Sequence, residues 1–166
     1  MKMHQTVRAC QFSDLSPGDC FIFEQSGSFY VAVKCAPTEL GKSPGSSPHA
    51  MVIWPGPPGL PGGGPGIYDA SETRGFYVAD ATIVPSPTVE LWTPVSDRSS
   101  GFAIHEGSLL AFAQMAPGKR VAVDLTTGTQ MNELPGGAVA ISRWKIIHLL
   151  SGGSGFEVVC EYPYRA

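Results

Sequence analysis

Cys20-Phe21-Ile22-Phe23-Glu24-Gln25-Ser26-Gly27-Ser28-Phe29-Tyr30-Val31-Ala32-Val33-Lys34-Cys35 is the stretch that decides the fold class. Two runs rich in aromatic and β-branched residues flank a Ser-Gly pair, so residues 20–24 and 29–35 are expected to form the strands of a hairpin. Two registers suit it. A three-residue loop sets Phe21 and Phe23 opposite Val33 and Val31 and builds one apolar face, whereas a slip by one residue sets them opposite Ala32 and Tyr30. The first is expected. It places Cys20 and Cys35 on opposite faces of the sheet, where they could not be bridged.

Upstream, Asp14-Leu15-Ser16-Pro17-Gly18-Asp19 is a turn, with Pro17 fixing φ ahead of Gly18. This Leu-Ser-Pro-Gly-Asp lead-in to a Phe-rich strand resembles that of small SH3-like barrels in general. The likeness implies a fold and carries no activity. Downstream, the first third has an echo. Gly18-Asp19-Cys20-Phe21-Ile22-Phe23, Val31-Ala32-Val33 and Met51-Val52-Ile53 are answered by Gly107-Ser108-Leu109-Leu110-Ala111-Phe112, Val121-Ala122-Val123 and Val139-Ala140-Ile141. Such an echo suggests duplication of a small all-β unit.

Further strands are expected at 50–54, 75–84, 88–92, 102–105, 109–114, 120–125 and 130–134. The segment 138–150 reads as one long strand bent by a bulge near Ser142 and Arg143. Alternation in 156–162 puts Phe156, Val158, Cys160 and Tyr162 on one face. Short strands with a turn signal about every ten residues make an all-β barrel or sandwich. In its more specific form this is a tandem of two SH3-like half-units related by internal duplication. Residues 1–94 and 95–166 are the expected units, packed as one body and linked through the polar stretch 93–101.

Residues 37–66 break the pattern. Of these 30 residues 16 are Gly or Pro, and neither residue supports a ladder, so an irregular excursion crossed by one strand is expected. Its three collagen-like triplets, Gly56 to Gly64, are too few for a triple helix. Its PxxP spacings lack flanking Arg or Lys. No Gly-Lys-Ser/Thr follows the glycines, which removes a nucleotide-phosphate loop. The excursion is read as a connector or a contact surface.

At 166 residues and 17.5 kDa the chain can bury enough core to fold without a disulfide or metal. Charged residues are 15% of the total, against about 25% in ordinary soluble domains, so self-association is a ready way to cover the surface. The net charge of −3 is scattered. Lys119-Arg120 and Arg143 with Lys145 offer too few cations for a phosphate backbone, so neither nucleic acid nor membrane is an expected partner. The first residues lack the apolar run of a secretory signal, and a cytoplasmic location is expected.

Cys10, Cys20, Cys35 and Cys160 contain no CxxC pair, and His4, His49, His105 and His148 have no ligand spacing, so no metal or cofactor is expected. Buried reduced thiols are the expected state of Cys20, Cys35 and Cys160. A pairing of Cys10 with Cys160 is left open. No Gly-x-Ser-x-Gly elbow marks a nucleophile. The densest polar cluster is Asp69, Ser71, Glu72, Thr73 and Arg74 between Tyr68 and Phe76, read as a solvated loop, with His105-Glu106 a second polar point. Trp54, Trp92 and Trp144 are read as core or rim, Trp54 being the most exposed. The leading expectation is a non-catalytic module that binds a protein partner or assembles with itself as a homo-oligomer. Its candidate contact residues are Trp54, Leu60, Tyr68, Asp69, Glu72, Arg74, Tyr77 and His105. The alternatives are a metabolite- or sugar-binding barrel mouth lined by Trp54, Tyr68 and Tyr77, and a hydrolase using Asp69, Glu72 or His105.

Overall fold

A computed structural model describes residues 7–37, 49–54, 65–70, 72–85, 100–116, 119–141, 144–149 and 155–162. Among these the chain is nearly all β. In chain order the strands are β1 (Val7–Gln11), β2 (Cys20–Gln25), β3 (Ser28–Lys34), β4 (His49–Trp54), β5 (Gly66–Asp69), β6 (Arg74–Val78) and β7 (Ala81–Pro85). They continue with β8 (Ser100–His105), β9 (Ser108–Ala116), β10 (Lys119–Asp124), β11 (Gln130–Met131), β12 (Val139–Ile141), β13 (Trp144–Leu149) and β14 (Phe156–Tyr162). They pair antiparallel in three sheets, ordered β1-β6-β2-β3-β4-β5, β11-β10-β9-β8-β12 and β14-β13-β7. None of these sheets closes into a barrel among the described residues.

The opening hairpin takes the register that was not expected. Phe21 lies opposite Ala32 and Phe23 opposite Tyr30, while Cys20 faces Val33 and Gln25 faces Ser28. The reason is the turn. Ser26 and Gly27 both have positive φ, 53° and 77°, which makes a two-residue loop whose twist matches that of the strands. Cys20 and Cys35 therefore share a face, and both are buried in one core cluster. Cys10, Cys20 and Cys35 are thiols, not half-cystines.

Four further expectations change. Residues 75–84 form two strands, β6 and β7, because Asp80 turns the chain at φ 53°. Residues 66–69, of which Gly66 ends the excursion and none was expected as a strand, form β5 by pairing with β4. Segment 138–150 is no bent strand: β12 pairs with β8, whereas β13 joins β14 and β7 in another sheet. The bulge sits in the β13–β14 ladder, which skips Val159. Phe156 and Val158 thus pair with Leu149 and Ile147, while Cys160 and Tyr162 pair with Ile146 and Trp144, so the ladder does not keep the unbroken alternation expected over 156–162. Residues 88–92 lie outside the described residues.

The first two sheets share a strand order. The meander β2-β3-β4-β5 has β6 returning beside β2, and the meander β8-β9-β10-β11 has β12 returning beside β8. The echo as aligned in the sequence set β2 against β9; the sheet order sets β2 against β8 and β3 against β9. Side-chain faces follow this pairing. Phe21, Phe23, Ala32 and Val52 turn into one core with Phe12 and Ala70, and Ala103, Phe112 and Ala122 turn into a second. Large and small exchange places: Phe23 on β2 faces the core that Ala32 lines, whereas Ala103 on β8 lies beside Phe112 on β9.

Alternate residues of both sheets, including Cys20, Val33, Met51, Ile53, Phe102, Val123 and Ile141, meet in a shared core with Trp144 and Ile146 of the third sheet. Full burial of such side chains stabilises by about 1.5–3 kcal/mol each. Trp144 packs on Phe102 with centroids 4.5 Å apart. At one margin the turn after β10 and the lead-in to β2 both clasp the end of β3: Ala36 N–H donates to Gly128 C=O at 2.7 Å, and Gly18 N–H donates to Lys34 C=O at 2.9 Å. A Cβ on Gly128 would strike Lys34 O and the Gly18 backbone. Lys34 Nζ donates to the carbonyls of Phe12 and Leu15, at 3.2 and 2.5 Å, supplying partners for the 3-10 turn Phe12–Asp14. Buried His148 has Nδ1 2.9 Å from Ala79 O, so this nitrogen carries the proton; Nε2 has no partner among the described residues.

Candidate functional site

The shared core covers only part of the first sheet's face. Registers place Val78, Cys20 and Val33 in adjacent rows under the other sheets. One row outward come Ala9, Phe76, Ile22 and Val31, and then Gln11, Arg74, Glu24 and Phe29. Val31 and Ile22 stay with the shared core, whereas Ala9 and Phe76 in their row, and the whole of the next row, are exposed. Phe29 and Phe76 are accordingly 59% and 49% exposed, although alternation alone would bury both beside Val31 and Val78.

This open end is concave. An open groove of about 610 Å³ is lined by Gln11, Asp14, Glu24, Phe29, Arg74 and Phe76; Cys10 borders it too, and its side chain packs in the core on the other face of the sheet. A second, of about 860 Å³, runs round the sheet end between Glu24, Gln25, Tyr68, Asp69, Glu72 and Arg74. Glu24 and Arg74 line both. Four carboxylates, Asp14, Glu24, Asp69 and Glu72, face one guanidinium, so the combined surface is acidic. Tyr68 is set from within. Its ring stacks on Phe23 at 5.6 Å, and its hydroxyl donates to Gln25 Oε1 at 2.5 Å.

The structure brings together Tyr68, Asp69, Glu72 and Arg74 of the expected contact residues. Asp69 ends β5 and Arg74 begins β6, and both are exposed, as is Glu72 between them. Tyr77 does not line the grooves; it packs against the first sheet's inner core with Arg8 5.7 Å from its ring centroid. Burial, with the charges of Asp19 and Asp80, raises its phenol above the ordinary range, and Arg8 partly offsets this. His105 lies on β8 of the second sheet, opposite Ser108 and away from the grooves. Trp54 pairs with Val31 through its backbone, and its side chain and Leu60 lie outside the described residues. Phe29, Phe76 and Glu24 were missed. Their signal is the register, which the two-residue turn sets and alternation does not.

Burial is the main cause that raises the Cys10 thiol, and Asp14 adds to it, so at neutral pH this sulfur is no activated nucleophile. Among the described residues no group of three His, Cys, Asp or Glu side chains is placed to hold a metal ion. No helix there is long and apolar enough to cross a membrane. Compared with known proteins, the chain matches no family model, no curated protein and no solved structure.

Proposed function

We propose that this protein is a non-catalytic binding module built from two SH3-like units, residues 1–94 and 95–166, and that it grips a protein partner on the open end of the first sheet. The shared strand order of the first two sheets supports the tandem reading. So do the matching turns, Ser26-Gly27 and Glu106-Gly107, all at positive φ. The observation that carries the binding role is the exposed Phe29–Phe76 pair on a face otherwise continuous with the core, because apolar surface of this kind marks interaction sites. Asp14 and Glu24 in the same groove, with Asp69 and Glu72 in the adjoining one, select a partner with basic and apolar side chains in alternation. They also oppose two copies meeting face to face here. The buried thiols fit a reducing compartment, in keeping with a cytoplasmic site.

The test uses a peptide of alternating Lys and Leu, with its Glu/Leu counterpart as control, in isothermal titration. Binding of the first that weakens with salt and is lost in Phe29→Ser/Phe76→Ser is expected. Equal binding of both peptides, or none of either, overturns the proposal.

A second reading, self-assembly, is favoured by β14. It ends the third sheet's strand order, and Phe156 and Val158 on it are 52% and 44% exposed. An edge of this kind is a template for pairing with a second copy. Light scattering on wild type and Val158→Lys tests it: a dimer that dissociates in the variant supports self-assembly, and a wild-type monomer at high concentration removes it.

A further inference from the structure

We propose that the junction of the three sheets is a separate binding site for a small, uncharged, largely apolar molecule, independent of the partner-binding face. A cavity of about 330 Å³ lies there, with Cys20 and Ile53 of the first sheet, Leu109 of the second and Ile146 of the third among its walls. Its size falls at the lower end of ordinary ligand pockets. A cavity of about 150 Å³ admits benzene, so this one has room for two fused rings.

Its chemistry selects the ligand class. No charged side chain lines it among the described residues, so an ionic ligand would lose its hydration without compensation. Cys20, Ile53 and Ile146 are buried and give an apolar floor, and the thiol adds a polarisable contact for an aromatic ring. Thr82 and Thr126 line the cavity too and are both exposed, so they mark a polar, uncharged mouth. A ligand with an apolar body and one neutral hydroxyl at its rim meets both parts. Such a molecule touches all three sheets at once and thereby stabilises their junction.

The experiment is titration of the whole chain, methyl-labelled, with 2-naphthol and separately with naphthalene-2-sulfonate. Saturable one-to-one binding of 2-naphthol is expected, with intermolecular NOEs to the methyl groups of Ile53, Leu109 and Ile146. The sulfonate should bind at least about tenfold more weakly, since burying an unpaired ion is costly. Ala81→Leu, which puts extra carbons into the cavity wall, should weaken 2-naphthol while leaving the Lys/Leu peptide unaffected. Absence of saturable binding overturns the site, as do NOEs confined to Phe29 and Phe76. Equal affinity for the sulfonate overturns the ligand class.

Discussion

At the scale of single residues, positions that look like surface in the sequence act as structural joints. Lys34 is a strand-end lysine by its neighbours, yet its amine satisfies two carbonyls and lies 5.0 Å from the Phe12 ring centroid. Lys34→Met should cost about 1–3 kcal/mol, well above the usual surface change, as read by urea denaturation. Gly128 has φ +72° and no room for a side chain. Gly128→Ala should therefore cost more than the roughly 1–2 kcal/mol of a left-handed residue alone. Cys35, expected as a buried thiol, carries a pH dependence. Burial pushes its thiol up to about 12 from an ordinary 9.0. The unfolded chain releases this proton near 9 and the folded chain retains it, so the stability linked to Cys35 is intact below pH 9 and lost as pH rises towards 12. Denaturation midpoints across pH 8 to 11 should fall in wild type and fall less in Cys35→Val; identical slopes would remove Cys35 as a cause.

At the scale of elements, the turns decide what the apolar pattern leaves open. Alternation in residues 20–35 fits two registers and favours the one not adopted, and positive φ at Ser26 and Gly27 selects the other. Asn-Gly is the favoured pair for such a loop, so Ser26→Asn should raise the denaturation midpoint slightly, and Gly27→Val should lower it. Strand existence was legible wherever β-branched and aromatic residues run together, as in β2, β3, β10 and β14. Strand ends were not. The break within 138–150 separates two sheets, and only the partners of Ile141 and Trp144 reveal it. β5 was hidden because glycine and proline precede it, and its pairing with β4 overrides that local composition.

At the scale of the whole molecule, one core joins all three sheets, and Ile146 at its centre is fully buried. Unfolding should be a single cooperative transition, with fluorescence and far-ultraviolet dichroism coincident. Ile146→Ala should lower that transition by about 2–5 kcal/mol without splitting it. Part of the candidate face was legible: Tyr68, Asp69, Glu72 and Arg74 are neighbours in sequence. Phe29, Glu24 and Phe76 join them only because β2, β3 and β6 are adjacent and the other sheets stop short of their ends. No local pattern encodes where a covering sheet stops. The most direct test of the binding account is amide shift mapping by NMR as the alternating Lys/Leu peptide is added. Shifts concentrated at residues 24–29 and 68–76 are predicted; shifts spread over the second sheet, or none at saturating peptide, would contradict it.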